Sequence, residues 1–220
     1  MSGSADQIAQ PGARGRGGRP SRQQSAQLAI RILDVAESLF LSHGFGATSI
    51  EAVAKRAGIS KRTFYHRFTG KERLFEAVVR RLIERWLPPI DAQFVETPSL
   101  ADGLQHTAEY MLKVALTPEA LALHRIVIAE AQQFPALARM MHEIGAASGI
   151  ERIAKQLEPR IKSGELRAMD PRFAAEEFIL MAVTGPQRRA LGLATPLSAA
   201  ELSAWARDTV ALFLDGSRAR

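Results

Sequence analysis

The chain contains no cysteine, which excludes disulfides, thiolate nucleophiles and cysteine-ligated metal sites. No apolar run approaches the ~18 residues that a membrane span needs; FILMAV, Phe178 to Val183, is among the longest. No membrane partner is therefore expected. The opening residues MSGSADQIAQPGARGRGG lack the apolar core of a secretory leader, so a cytoplasmic protein is the expectation. Alternating apolar and polar stretches are missing, as are Asn-Gly and Asp-Gly hairpin turns. That argues against strands.

Signatures of catalysis are missing as well. There is no G-x-S-x-G elbow, no H-E-x-x-H, no Walker-type phosphate loop and no G-x-G-x-x-G following a strand. Gly12, Gly15 and Gly17 lie in a polar N-terminal stretch with no strand before them. Glu176 and Glu177 are adjacent along one helix and point in different directions. His106, His124 and His142 are evenly spaced, but Pro118 and Pro135 break the helices between them, so neither a metal nor a cofactor is expected. A helical enzyme of unrecognised type and a protein-interaction module stay open as alternatives to a nucleic-acid-binding role.

What is present is apolar mass and unevenly placed charge. With 220 residues and 46% apolar composition, the chain can bury a core in one large domain or two smaller ones. The net charge is +6, yet residues 1–86 hold 15 Lys and Arg against 7 Asp and Glu, whereas the remainder holds 14 against 16. A basic first part joined to a mildly acidic second suggests that only the first meets a polyanion. Composition alone suits a solvated cationic face equally well.

Residues 1–23 are rich in Gly, Ser, Gln, Pro and Arg and are expected to be a disordered basic arm. From Gln24 onward the spacing predicts helix after helix. Leu28, Ile32, Val35, Ala36 and Leu39 form one face of a first helix ending near Gly44. Thr48 with Glu51 reads as a capping box for a short second helix stopped by Gly58. Ser60 caps a third through His66, and Thr69 with Glu72 opens a fourth with an apolar stripe reaching Trp86. After Pro88–Pro89, further helices start at Ser99, at Thr117–Pro118, at Phe134–Pro135 (one long segment to about Ser163), at Asp170–Pro171 and at Ser198 with Glu201. The expectation is an all-α fold of about nine helices.

The turn Ala57-Gly58-Ile59-Ser60 between two short capped helices reads as a helix-turn-helix. Ile50, Val53, Phe64 and Phe68 should face inward, leaving Lys61, Arg62, Thr63, Tyr65 and His66 outside, as a major groove would accept. Arg62 suits a guanine edge, and Thr63 a thymine methyl or a phosphate. Lys61, Tyr65 and His66 suit phosphate, which fixes position and not sequence. Thr48 and Lys71 sit at helix N-termini, where backbone N–H groups favour anions.

The stretch AIRILDVAESLFLSHGFGATSIEAVAKRAGISKRTFYHRFTGKERLFEAVV resembles the DNA-binding domain of the TetR/AcrR family of bacterial transcription regulators. LF…GF..TS, AGIS, T-F-Y-H-x-F and KE-x-LF follow in the family's order and spacing from Ile30 to about Arg85. The resemblance implies binding to double-stranded DNA, a homodimer, and most often a repressor that a small molecule releases; an activator is the alternative within the family. It also implies that Thr48, Ser49, Lys61, Thr63, Tyr65, His66 and Lys71 contact DNA. Arg62 stands where the family often has a small residue, making it the candidate for protein-specific readout.

RGRGGRPSR places Arg14, Arg16, Arg19 and Arg22 on an extended arm suited to a narrow minor groove. A tail adding only electrostatic attraction fits equally. Residues 24–86 are taken as the DNA-binding domain and 87–220 as a helical effector-binding and dimerisation domain. Within the latter, HRIVIAEAQQFPALARMM…GEL resembles the AefR-like branch of the family. Trp86, Tyr110, Met111, His124, Ile128, Glu130 and Phe134 are the candidate effector-pocket residues, apolar walls with a few polar handles. FILMAV is apolar on nearly every side, so Phe178, Met181, Leu202, Trp205 and Phe213 are the candidate dimer interface.

Overall fold

Ten α-helices and no strand make up the described part of the computed structural model, which covers residues 22–86, 99–141, 143 and 147–218. They are α1 (Arg22–Ala47), α2 (Ile50–Arg56), α3 (Lys61–Tyr65), α4 (Lys71–Trp86) and α5 (Leu100–Ala115). Then follow α6 (Pro118–Glu130), α7 (Pro135–Met141), α8 (Ala147–Lys162), α9 (Pro171–Arg188) and α10 (Ala199–Ser217). Buried Pro186 inside α9 cannot donate a backbone hydrogen bond, and the helix runs on through a π-helical turn at Arg189–Leu193. No helix among the described residues is long and apolar enough to cross a membrane.

Side-chain caps set most helix starts. Ser60, Ser99 and Thr117 accept from the backbone N–H three residues on, Asp170 accepts from Arg172 and Phe173, and Ser198 with Glu201 forms a capping box. Each such cap stabilises its helix by ~1 kcal/mol. Four expectations are corrected. Ser49, not Thr48, caps α2, its Oγ accepting from the Ala52 N–H at 3.1 Å. α4 begins at Lys71, so Gly70 and not Thr69 holds the capping position. The long segment after Phe134 is two helices, α7 and α8. Arg22 and Gln23 belong to α1 and not to a disordered arm; residues 1–21 lie outside the described residues.

α1 does not simply stop at Gly44. That residue takes φ 84°, ψ 171°, a conformation open to glycine, and a last helical turn follows it at an angle. The bend drives Phe45 into the core, where its ring lies 5.8 Å from Phe40, 5.2 Å from Phe75 and 4.8 Å from Phe134. α1 and α4 are further tied by ion pairs, Arg81 to Asp34 at 2.5 Å and Arg85 to Glu37 at 2.7 Å.

Two cores result. The first buries Ile32, Phe40, Phe45, Phe64 and Phe75 of the N-terminal helices together with Leu123 and Ile126 of α6 and Leu137 of α7. The second, from α5, α8, α9 and α10, buries Leu104, Ile153, Leu157, Phe178 and Phe213. Thus α6 and α7, which a division at residue 87 assigns to the second unit, pack largely into the first.

Candidate nucleic-acid interface and ligand cavity

The turn between α2 and α3 is built by backbone geometry. Gly58 takes φ 65°, and the Ile59 N–H reaches back to the Ala54 carbonyl at 3.0 Å. Phe64, fully buried, fastens α3 from within, its ring 5.7 Å from that of Phe68. Arg67 secures the end of α3 by donating to Ser25 Oγ on α1 at 2.7 Å. With the inner face so held, Lys61, Arg62, Tyr65 and His66 are all exposed together on the other side.

Their roles are not equivalent. Among the described residues the Arg62 guanidinium has no hydrogen-bond or ion-pair partner and faces solvent. Lys61 is paired with Glu51 of α2 at 2.5 Å; this hydrogen bond is the main cause that lowers the Glu51 carboxyl pKa and raises that of the Lys61 ammonium. Thr63 is half-buried, its Oγ1 sharing a 2.9 Å hydrogen bond with Ser60 Oγ. Ser49 is exposed at the start of α2. Arg14, Arg16 and Arg19 lie outside the described residues, and Arg22 opens α1.

Two of the expected DNA contacts are engaged within the chain. Thr48 is 3% exposed and its Oγ1 donates to the Gly44 carbonyl at 2.8 Å, so its side chain stabilises the bend instead of facing outward. Lys71 turns inward. Its Nζ donates to the Phe45 carbonyl at 2.9 Å and the Gly46 carbonyl at 3.3 Å, and stands 4.3 Å from the Phe45 ring centre. The cation lies at the carbonyl ends that follow the bend, where the Phe45 carbonyl also accepts from the Thr48 N–H at 3.3 Å.

A cavity of about 310 Å³ lies between the ends of α4, α5, α6, α8 and α9. It brings together Trp86, Tyr110, Met111 and His124 of the pocket residues expected from sequence. Burial lowers the His124 pKa, favouring the neutral imidazole, and the Tyr110 hydroxyl donates to the Trp86 carbonyl. The other three residues are elsewhere. Ile128 is 62% exposed, the Glu130 carboxylate accepts from the Gly46 N–H, and Phe134 packs on Phe45. Missed from sequence were Ile179, Val183 and Gln187 of α9, which also line the cavity; their four-residue spacing was the available signal.

The expected dimer residues are largely internal. Phe178 and Phe213 are buried against each other, ring centres 5.1 Å apart. Trp205 donates its indole N–H to the Ala182 carbonyl at 2.9 Å and lies so close to Gly185 that a Cβ there would stand 2.7 Å from the ring. These residues hold α9 to α10 within one chain; Met181 and Leu202 are half-buried beside them. The apolar side chains that α9 and α10 do expose are Phe173 at 60%, Leu180 at 50% and Leu212 at 66%.

Residues 32–78 match the tetR family of bacterial regulatory proteins, and residues 102–216 match the C-terminal domain of AefR-like transcriptional repressors. The HTH-type transcriptional regulator UidR of Escherichia coli is 35% identical over 116 residues, 50% of this chain and 55% of that one. RutR of the same organism is 39% identical over 75 residues, 34% of this chain and 35% of its own. This chain thus spans about half the length, or less, of these curated relatives. Solved structures match further: a TetR-family regulator of Mesorhizobium loti has a TM-score of 0.75 at 30% identity, covering 89% of this chain and 98% of that one. The flavonoid-responsive regulator FrrA has a TM-score of 0.73 at 29% identity, covering 89% and 99%. With the helix-turn-helix in place and the longer family match spanning over half its length, the chain belongs to the TetR family of DNA-binding transcriptional regulators.

Proposed function

We propose that the chain is a homodimeric repressor whose two α3 helices enter successive major grooves of a near-palindromic operator, roughly 34–36 Å apart, and which a small lipophilic effector releases. The observation that carries the reading is Arg62, exposed and unpartnered among the described residues on the outward face of α3. Its fork reads a guanine edge, discriminating by ~1–3 kcal/mol against other bases. Tyr65, His66 and Ser49 contact phosphates and set register, while Lys61 is held back by Glu51; Thr63 reaches a thymine methyl or phosphate. Arg14, Arg16 and Arg19 supply guanidinium groups to the minor groove. Phe173, Leu180 and Leu212 of α9 and α10 meet their symmetry mates across the dimer axis.

Release runs through α6. That helix lines the cavity with Ala120, Leu123 and His124 and ends at Glu130, which holds Gly46 beside the reading unit. A ligand that displaces α6 therefore disturbs the bend in α1. It shifts the equilibrium only by binding the displaced state more tightly than the DNA-bound one. FrrA, a flavonoid-responsive relative, favours an aromatic effector.

The test is selection of binding sites from genomic fragments, followed by anisotropy titrations and light scattering. A dimer is expected, with Arg62→Ala relaxing selectivity at one base pair per half-site and costing more affinity on the selected sites than on random DNA. A monomer that ignores every fragment at low ionic strength would end the proposal.

A further inference from the structure

Resting on the effector reading above, we infer that the cavity takes an uncharged aromatic ligand of one or two rings bearing a single hydroxyl or carbonyl oxygen, held between His124 and Gln187. Its volume of about 310 Å³ lies at the lower end of the roughly 300–1,000 Å³ span of small-molecule sites. Trp86, Tyr110 and Met111 supply ring and thioether surface suited to a flat apolar partner.

Charge decides the class. Among the described wall residues there is no Lys, Arg, Asp or Glu. A carboxylate, phosphate or ammonium ligand would find no countercharge among these described wall residues and be penalised on leaving water. Neither His124 nor Gln187 has a hydrogen-bond partner among the described residues, and they approach from different helices, α6 and α9. The Tyr110 hydroxyl, by contrast, already donates to Trp86. A neutral imidazole and a primary amide each offer a donor and an acceptor, so they suit one hydroxyl or carbonyl oxygen. Solvation costs fall on any ligand that leaves them unmatched.

Three probes with one ring system test this on the purified full chain at neutral pH: 2-naphthol, 2-naphthoate and 2-naphthylmethylammonium, with naphthalene as reference. Calorimetry should show naphthol binding about ten-fold or more tightly than either charged probe. His124→Leu and Gln187→Leu should each weaken naphthol about 2- to 10-fold and leave naphthalene unaffected. Equal or tighter binding of a charged probe, indifference of naphthol to both variants, or no binding by any probe would each overturn the inference. The wild-type comparison requires no variant to fold. DNA affinity measured in parallel keeps the two readings apart. Naphthol bound without effect on DNA counts against effector-driven release and leaves the ligand class standing.

Discussion

Glu130, the last residue of α6, accepts a 2.7 Å hydrogen bond from the backbone N–H of Gly46, 84 positions earlier in the chain. A Cβ at Gly46 would stand 2.9 Å from the same carboxylate oxygen. The two sites are therefore coupled by contact as well as by the hydrogen bond. Gly46→Ala moves the flexible carboxylate, and the weakened hydrogen bond should offset alanine's better helix propensity, leaving the parent chain's stability about unchanged. In a Glu130→Ala background the obstruction is gone and Gly46→Ala becomes stabilising. Chemical denaturation of the four chains should give a coupling of ~1 kcal/mol; strict additivity would show that the contact does not exist in solution.

Lys71 is expected to stabilise the bend and to act on DNA binding through it. Its ammonium donates to two carbonyls that follow Gly44 and lies against the Phe45 ring. Lys71→Ala should cost ~1–3 kcal/mol of stability, a fall in Tm of about 2–4 °C for each kcal/mol at this chain length. DNA affinity should fall alike on specific and random duplexes, because the segment that orients α2 and α3 loosens. Unchanged Tm with weakened DNA binding would mean that Lys71 acts by direct phosphate contact after all.

The elements that are decided locally are legible in the sequence. Ser60, Ser99, Thr117 and Ser198 cap where their spacing predicts, and the turn at Gly58 falls where only a short glycine-bearing connection fits. What adjacent residues contest or a neighbouring element decides is not legible there. Thr48 and Ser49 are both capping types; the bend at Gly44 buries the first and leaves the second to cap. FILMAV suggested a missing partner, but α5, α8 and α10 of the same chain already cover Phe178. Along α6, His124 lines the cavity while Glu130 reaches the bend in α1, a change of surroundings that periodicity cannot register.

The Glu51–Lys61 pair is expected to moderate attraction to DNA. Both side chains are more than half exposed, so the pair adds little to stability, but it occupies one cation of the reading face. Glu51→Gln frees that ammonium for phosphate. Affinity for random duplex should rise, and the slope of log K against log salt should steepen by about 0.9. Selectivity for the operator over random DNA should therefore fall. An unchanged slope would show that Lys61 makes no additional phosphate contact when released.

Acid should weaken the fold in two separable windows. Burial lowers the His124 pKa below its ordinary value of 6.5, so between that folded value and 6.5 the unfolded chain binds the proton and the folded chain does not. Stability then rises with pH through this window and is lost as pH falls from 6.5 through the folded pKa. The lowered carboxyls act lower down, below their ordinary 4.5: Glu76 held by Arg73, Glu158 by Lys162 and Glu201 by the Ser198 backbone. His124→Leu should flatten the upper window and leave the lower one intact, read as the change in denaturation midpoint with pH. A neutral aromatic ligand in the cavity should deepen the upper window by binding the chain whose imidazole is uncharged. If the leucine variant keeps the parent's slope just below pH 6.5, the proton belongs to another group and His124 is not desolvated as described.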